Sequence, residues 1–343
     1  MAEMGLRGGG GSRSSATVHP PALLLATVLA IAAACVPSGD SSRRGGVGTP
    51  TDQNPRVACI AYSGNGENFK RVLNLIKSEG AAFAIHQGDF DYSYDPDGFF
   101  ATITALLGPN YQYFMSVGNH DVGSWDGYAK HLTQRMAANH VTPDAPDLSD
   151  QKYSASYRGL GMVFVGENGR NAEFASFLQE KLSADDHIWK ICSWHMNHED
   201  MQVGHKSDAM GWNVYETCRK NGGIIATGHE HSHERTKTLS DFQSQSVSDG
   251  CSDPKQICVG PGRTFAFVSG LGDKSVRKQA RCLAATYPYG CKGEWAFIYT
   301  SNQKATSGAL FIDFYVNGDP KRAHAYFKNV KNQVVDEFDI TKD

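Results

Sequence analysis

Apolar and polar residues along this chain follow two periods that alternate. Val57-Ala-Cys-Ile-Ala61 is an unbroken apolar run of the length expected for a buried strand. Over Asn68–Glu79 the apolar positions become Phe69, Val72, Leu73 and Ile76, the three-and-four spacing of an amphipathic helix, and Gly80 stops it. The exchange continues with strands over 81–86 and 113–117 and a helix over 97–107 between them. A helix over 125–138 follows, then a strand pair over 153–157 and 162–165 around Gly159-Leu-Gly161. Residues 172–182 and 212–220 read as helices, and 189–194 and 223–227 as strands. From Thr264 onward the pattern is mostly β, most clearly over 310–316, 323–327 and 334–340. Alternating units followed by late strands predict an α/β fold of two packed mixed β-sheets flanked by helices, one domain over 56–343.

The start of the chain does not share this pattern. A Gly/Ser-rich stretch with Arg7 and Arg13 leads into about sixteen apolar residues, Pro21–Val36, which is short for a membrane span and ends in small side chains. The expectation is a signal peptide over 1–35, a flexible linker over 36–55, and a secreted or extracytoplasmic protein with no stable span once the peptide is removed. The alternatives are an uncleaved anchor, a transit peptide, or a lipid anchor at Cys35. Export makes disulfides expected. Cys251 and Cys258 bracket one short polar loop and Cys282 and Cys291 another, within a region, 240–295, that has little helix or strand periodicity. Cys59 and Cys192 lie in apolar runs and are expected to be buried, and Cys218 is a partner for either. A net charge of −3 gives no general basic surface, so nucleic acid is not an expected partner and any attraction to phosphate must be local.

The candidate chemistry sits where strands end. Gly88-Asp89-Phe-Asp91-Tyr92, Gly118-Asn119-His120-Asp121, His195 and Gly228-His229-Glu-His231 each follow an apolar strand directly. Ligands of α/β folds gather at the carboxyl ends of strands, so these distant clusters are expected to meet. A carboxylate at Asp89 suits a bridge between cations, and a Tyr92 phenolate is a hard oxygen ligand. An Asn119 carbonyl can ligate while His120 faces a substrate. Extended backbone is expected to put His229 and His231 on one side, with His233 further out in a supporting role.

The order of these motifs resembles the ligand set of the calcineurin-like metallophosphoesterases. The Tyr of the first motif and the run Gly228-His-Glu-His-Ser-His-Glu-Arg235 look most like purple acid phosphatases. That resemblance implies two metal ions, iron with zinc, manganese or a second iron, with Asp89 bridging them. Tyr92 and His231 would hold the first ion and Asn119, His195 and His229 the second, while His120 and His205 face the phosphate. It also implies hydrolysis of a small phosphorylated substrate, a phosphomonoester, by metal-activated water. One position departs. The Asp that opens the family's first motif is replaced by Tyr62, in Tyr62-Ser-Gly64, and Asn65, Glu67 or Asp91 are the nearby substitutes. The alternative reading is therefore a one-metal or inactive relative that binds phosphate-like ligands or a protein partner without turnover.

Overall fold

A computed structural model describes residues 54–145, 148–167, 169–207 and 209–343. The proposed signal peptide and most of the linker lie outside the described residues. The linker's last two residues pack: Pro55 is buried and its carbonyl accepts from the Phe314 amide at 3.1 Å.

In chain order the elements are β1 (Arg56–Ile60), α1 (Glu67–Ser78), β2 (Phe83–His86), α2 (Pro96–Leu107), β3 (Tyr113–Met115), α3 (Trp125–Ala138), β4 (Tyr153–Tyr157) and β5 (Leu160–Phe164). Then come α4 (Asn171–Ala184), β6 (Trp189–Ser193), α5 (Trp212–Lys220), β7 (Ile224–Thr227), β8 (His233–Thr236), β9 (Leu239–Asp241) and β10 (Ser246–Val247). The series ends with β11 (Gln256–Val259), β12 (Ala266–Ser269), β13 (Trp295–Tyr299), β14 (Gly308–Phe314), β15 (Arg322–Asn329) and β16 (Val334–Lys342).

Two seven-stranded mixed sheets carry the fold, in the orders β11-β16-β15-β14-β1-β2-β3 and β13-β8-β12-β7-β6-β5-β4. Within the first, β1, β2 and β3 run parallel. Within the second, β5, β6, β7 and β12 do. Their fully buried runs explain the unbroken apolar sequence, because a parallel strand covered on both faces has no polar side to show. The inner faces meet through stacked Phe114 and Phe164, 5.7 Å apart, and through Ser116 Oγ and Ser193 Oγ at 2.8 Å. Helix α1 buries Phe69, Val72, Leu73 and Ile76, as its spacing predicts, each worth about 1.5–3 kcal/mol of transfer free energy. Helices α4 and α5 cover the outside of the second sheet, where Phe174, Leu178, Val214 and Tyr215 pack on Val163, Cys192 and Ile225.

The region 240–295 departs from expectation. It is not devoid of strands: the end of β9, β10 to β12 and the first residue of β13 lie in it, too short for their periodicity to register. Its two expected disulfides are present, Cys251–Cys258 and Cys282–Cys291. The open cysteine is resolved as well, since Cys218 of α5 pairs with Cys192 of β6 and Cys59 stays a buried thiol.

Candidate metal centre

The parallel strands of both sheets deliver their carboxyl ends to one edge of the fold. From β1 comes Tyr62, from β2 Asp89 and Tyr92, from β3 Asn119 and His120, from β6 His195, and from β7 His229 and His231. The turns approach so closely that side chains are excluded at two points. A Cβ on Gly88, whose φ is +84°, would sit 2.7 Å from the Gly118 amide and from His195 Nδ1. One on Gly118 would meet Asp89 N and Oδ1 at 2.3 Å. Asp121 ties the turns together. Its Oδ2 accepts from the amides of Asp89 at 2.7 Å and Gly118 at 2.8 Å, and its Oδ1 from Phe90 at 2.9 Å.

Asp89, His195 and His229 converge, their ligating atoms all within 4.8 Å of one another and all three residues buried. Asp89 Oδ2 stands 3.3 Å from His195 Nε2, which stands 3.1 Å from His229 Nδ1. Donors about 2.0–2.1 Å from a tetrahedral ion are about 3.3–3.4 Å apart, so these edges have the size of one face of such a site. The donor chemistry agrees. His195 Nδ1–H donates to the Gln87 carbonyl at 2.6 Å, which leaves Nε2 as the ring nitrogen facing the triangle. Burial, reinforced by the charge of His195 and Lys206, pushes the His229 imidazole down to about 2, so it is the neutral, ligating form. Burial alone would raise the Asp89 carboxyl, but the neighbouring His195 overrides it and holds it well below the usual range. The same pairing raises His195 against the burial that would lower it. A cation entering here competes with the His195 proton for one carboxylate, so its binding releases a proton. These residues fit one metal ion.

The other half of the expected ligand set differs. His231 does not share a side with His229 on an extended strand. His229 has a left-handed φ of 63° and Glu230 N bonds back to Gly228 O at 2.8 Å, so this stretch turns, and β8 begins only at His233. His231 lies instead against Tyr62, ring centroids 3.1 Å apart, with Nδ1 2.7 Å from Ser275 Oγ and Nε2 buried without a partner. Tyr92 donates its hydroxyl to Asp89 Oδ2 at 2.8 Å, and its ring is 5.2 Å from that of Tyr62. Burial raises both phenols, and the Asp89 charge raises them further. This half offers two phenols and one imidazole, with no carboxylate of its own beyond Asp89. Asp91, a candidate substitute, is committed elsewhere: its carboxylate accepts from the amides of Ser93, Tyr94 and Asp95 and from Tyr128 Oη.

Asn119 and His120 are exposed at the rim; the His120 amide donates to Asp89 Oδ1 at 3.1 Å, and its ring lies 4.7 Å from that of Tyr92. His205 is exposed on the loop beside Glu230. His233 is a buried structural residue, 3.1 Å from Asp336 Oδ2, to which Arg235 also donates twice at 2.8 Å. The sequence reading passed over Lys206, Lys274 and Arg277. Lys206 Nζ is 5.9 Å from the Tyr62 ring centroid, Lys274 Nζ 4.4 Å from that of Tyr92, and Arg277 bears on Tyr62, His229 and His231. Nothing local in their sequence marks them.

The profile of one protein family, Calcineurin-like phosphoesterase, matches residues 56–233, which holds every residue of this centre from Tyr62 to His231. The chain belongs to that family. Among solved structures this phosphoesterase-family chain is similar to a purple acid phosphatase from yellow lupin (Lupinus luteus) seeds, with TM-score 0.62 and 16% identity over 87% of this chain and 55% of that one. It therefore spans little more than half the lupin protein's length. GAP50, the anchor in the inner membrane complex of Plasmodium, aligns with TM-score 0.54 and 10% identity over 84% of this chain and 89% of that one. PhoD aligns with TM-score 0.51 and 11% identity over 84% and 69%. At these identities the likeness is one of fold. No curated protein matches the chain.

Proposed function

We propose that this calcineurin-like family member is an exported, metal-dependent hydrolase of small phosphomonoesters, working at the edge where Asp89, His195 and His229 meet. The observation that carries the reading is that triangle, buried, with edges of 3.1 and 3.3 Å and a fixed histidine tautomer. An ion held there, iron, zinc or manganese, would supply a water of lowered pKa and a positive charge for the phosphoryl oxygens. The chain's own groups do the rest. Asn119 at the rim would be a fourth donor to the ion, and His120, its ring beside that of Tyr92, would give a proton to the leaving alcohol as its bond to phosphorus breaks. His205, exposed on the loop beside Glu230, is a second proton donor. The family match and the purple acid phosphatase fold support phosphoester chemistry.

Export is supported by three disulfides, and no helix among the described residues is long and apolar enough to cross a membrane. The test compares p-nitrophenyl phosphate with bis-p-nitrophenyl phosphate on zinc-, manganese- and iron-loaded protein. Faster hydrolysis of the monoester, lost in His195→Ala, is expected; faster hydrolysis of the diester would refute the monoester assignment. A second reading has its own support in Tyr62, whose buried ring lies against His231 and which stands in sequence where the family resemblance expects a carboxylate. On that reading the centre binds phosphate-like ligands or a protein partner without turnover. The Plasmodium protein, described as an anchor, has a comparable fold.

A further inference from the structure

The half of the centre around Tyr62, Tyr92 and His231 contains two phenols, one imidazole and no carboxylate beyond the shared Asp89. What surrounds it is cationic. Lys206 and Lys274 approach the two tyrosine rings from the loops after β6 and β12, at 5.9 and 4.4 Å from the centroids. Arg277 is pinned by its own backbone, whose amide donates to the His231 carbonyl at 3.0 Å, and its half-buried side chain reaches toward Tyr62 and His231. One buried carboxylate, Glu230, lies near Lys206 and Arg277, on the side closed off by Gly204, where a Cβ would come within 2.3–2.5 Å of it. It and the half-buried Asp273 beside Lys274 offset two of the three positive charges. A second divalent ion would face this surplus without a carboxylate of its own, whereas an oxyanion would be attracted by it.

We infer that Lys206 and Arg277 bind the phosphoryl group of the ligand beside a single metal ion, taking the electrostatic place of a second ion. The inference deepens the proposed function by assigning the phosphate-binding groups of that same site. The lysine supplies a mobile point charge and the guanidinium a two-pronged donor matched to phosphoryl oxygens. The Tyr62 hydroxyl, beside Lys206, adds a hydrogen bond to a bound oxyanion. The buried, unpartnered His231 Nε2 faces this half as well.

The test is calorimetric titration of zinc-loaded protein with inorganic phosphate, with zinc content measured on the same samples. One zinc per chain is expected. Lys206→Gln and Arg277→Gln should each weaken phosphate binding about tenfold or more, the usual size of one charge-assisted hydrogen bond, with zinc still at one per chain. Retained zinc certifies that the centre in each variant is folded. Lys206→Arg, which keeps the charge, should retain affinity within a fewfold. Two zinc ions per wild-type chain, unchanged phosphate affinity in both Gln variants, or a loss in Lys206→Arg as large as in Lys206→Gln would overturn the inference. Because the readout is binding, a chain that behaves as expected yet hydrolyses nothing refutes the hydrolase reading alone. A chain that hydrolyses phosphate esters while both Gln variants keep full phosphate affinity refutes this inference alone.

Discussion

Replacing His229 by Ala removes one corner of the triangle, and the size of the effect follows from how the ion is held. Structural zinc bound by four ligands gains about 10–16 kcal/mol, so one ligand is worth roughly 3 kcal/mol and its loss weakens binding about a hundredfold or more. Zinc at a hundred times the wild-type Kd stabilises the folded chain by about 2.7 kcal/mol, whereas the same concentration is only about one Kd for the variant and gives about 0.4 kcal/mol. For a chain of this size each kcal/mol moves the midpoint by about 1.5–2 °C, so the zinc-induced shift falls from about 4–5 °C to under about 1 °C. The assay is thermal unfolding with and without zinc, paired with competition against a chromophoric chelator. Each protein is compared with its own metal-free form, so any packing loss from removing a buried imidazole cancels. His205→Ala serves as the control, because His205 is exposed and outside the triangle, and should keep the full shift. A His229→Ala protein with the wild-type shift and the wild-type Kd would show that the three side chains meet without holding an ion.

Three further outcomes are expected. Tyr62→Asp should raise zinc content from one toward two ions per chain by elemental analysis, since it supplies a carboxylate at a left-handed position, φ 61°, that Asp tolerates better than Tyr; content still at one would show that Tyr62 is not what keeps the second ion out. Removing the Cys192–Cys218 bridge by a double Ala substitution should cost about 3.5 kcal/mol in denaturant unfolding, the loop-closure value for a sequence separation of 26, and an unchanged midpoint would contradict it. Asp336→Asn should cost about 3–5 kcal/mol at neutral pH, because it leaves the buried Arg235 guanidinium unpaired. Burial would raise Asp336, but Arg235 and His233 override it and hold the carboxyl far below its usual range. Its contribution is therefore complete above the unfolded carboxylate pKa of about 3.9 and fades as pH falls below that, so the gap between wild type and variant should narrow in urea melts at pH about 3.

Where a property of this chain is set by neighbours in sequence, it could be read from the sequence; where it is set by the meeting of loops, it could not. Helices α3 and α5 fall on the expected residues because each carries its own apolar stripe. The strand-end motifs were legible for the same reason: a glycine followed by Asp89, Asn119 or His229 is a local signal that an apolar strand has ended in a polar turn. The path from His229 to His231 was misread because extended backbone is the default after a strand. Here Gly228 packs against Gln87 and Ala61, with a Cβ barred at 2.5–2.7 Å, and the chain turns at the left-handed His229 that follows it. Cys218 illustrates a choice that spacing leaves open and packing closes. Cys192 faces outward from its sheet toward α5, in the cluster with Cys218, whereas Cys59 belongs to the core shared with α1.

The same distinction explains the charge of the centre. Tyr62 stands out in sequence as a missing carboxylate, and from sequence alone that reads as loss. Lys206, Lys274 and Arg277 come from loops more than a hundred residues further along the chain, and only the folded chain brings them around the tyrosines. A positive side chain next to a site deprived of a carboxylate would repel a second ion, so the two features belong together. A carboxylate with no cations around it would favour a second metal; a phenol among three cations favours an anion. On the proposed reading the departure at Tyr62 agrees with its surroundings, and the centre would set a single cation beside a place for phosphate.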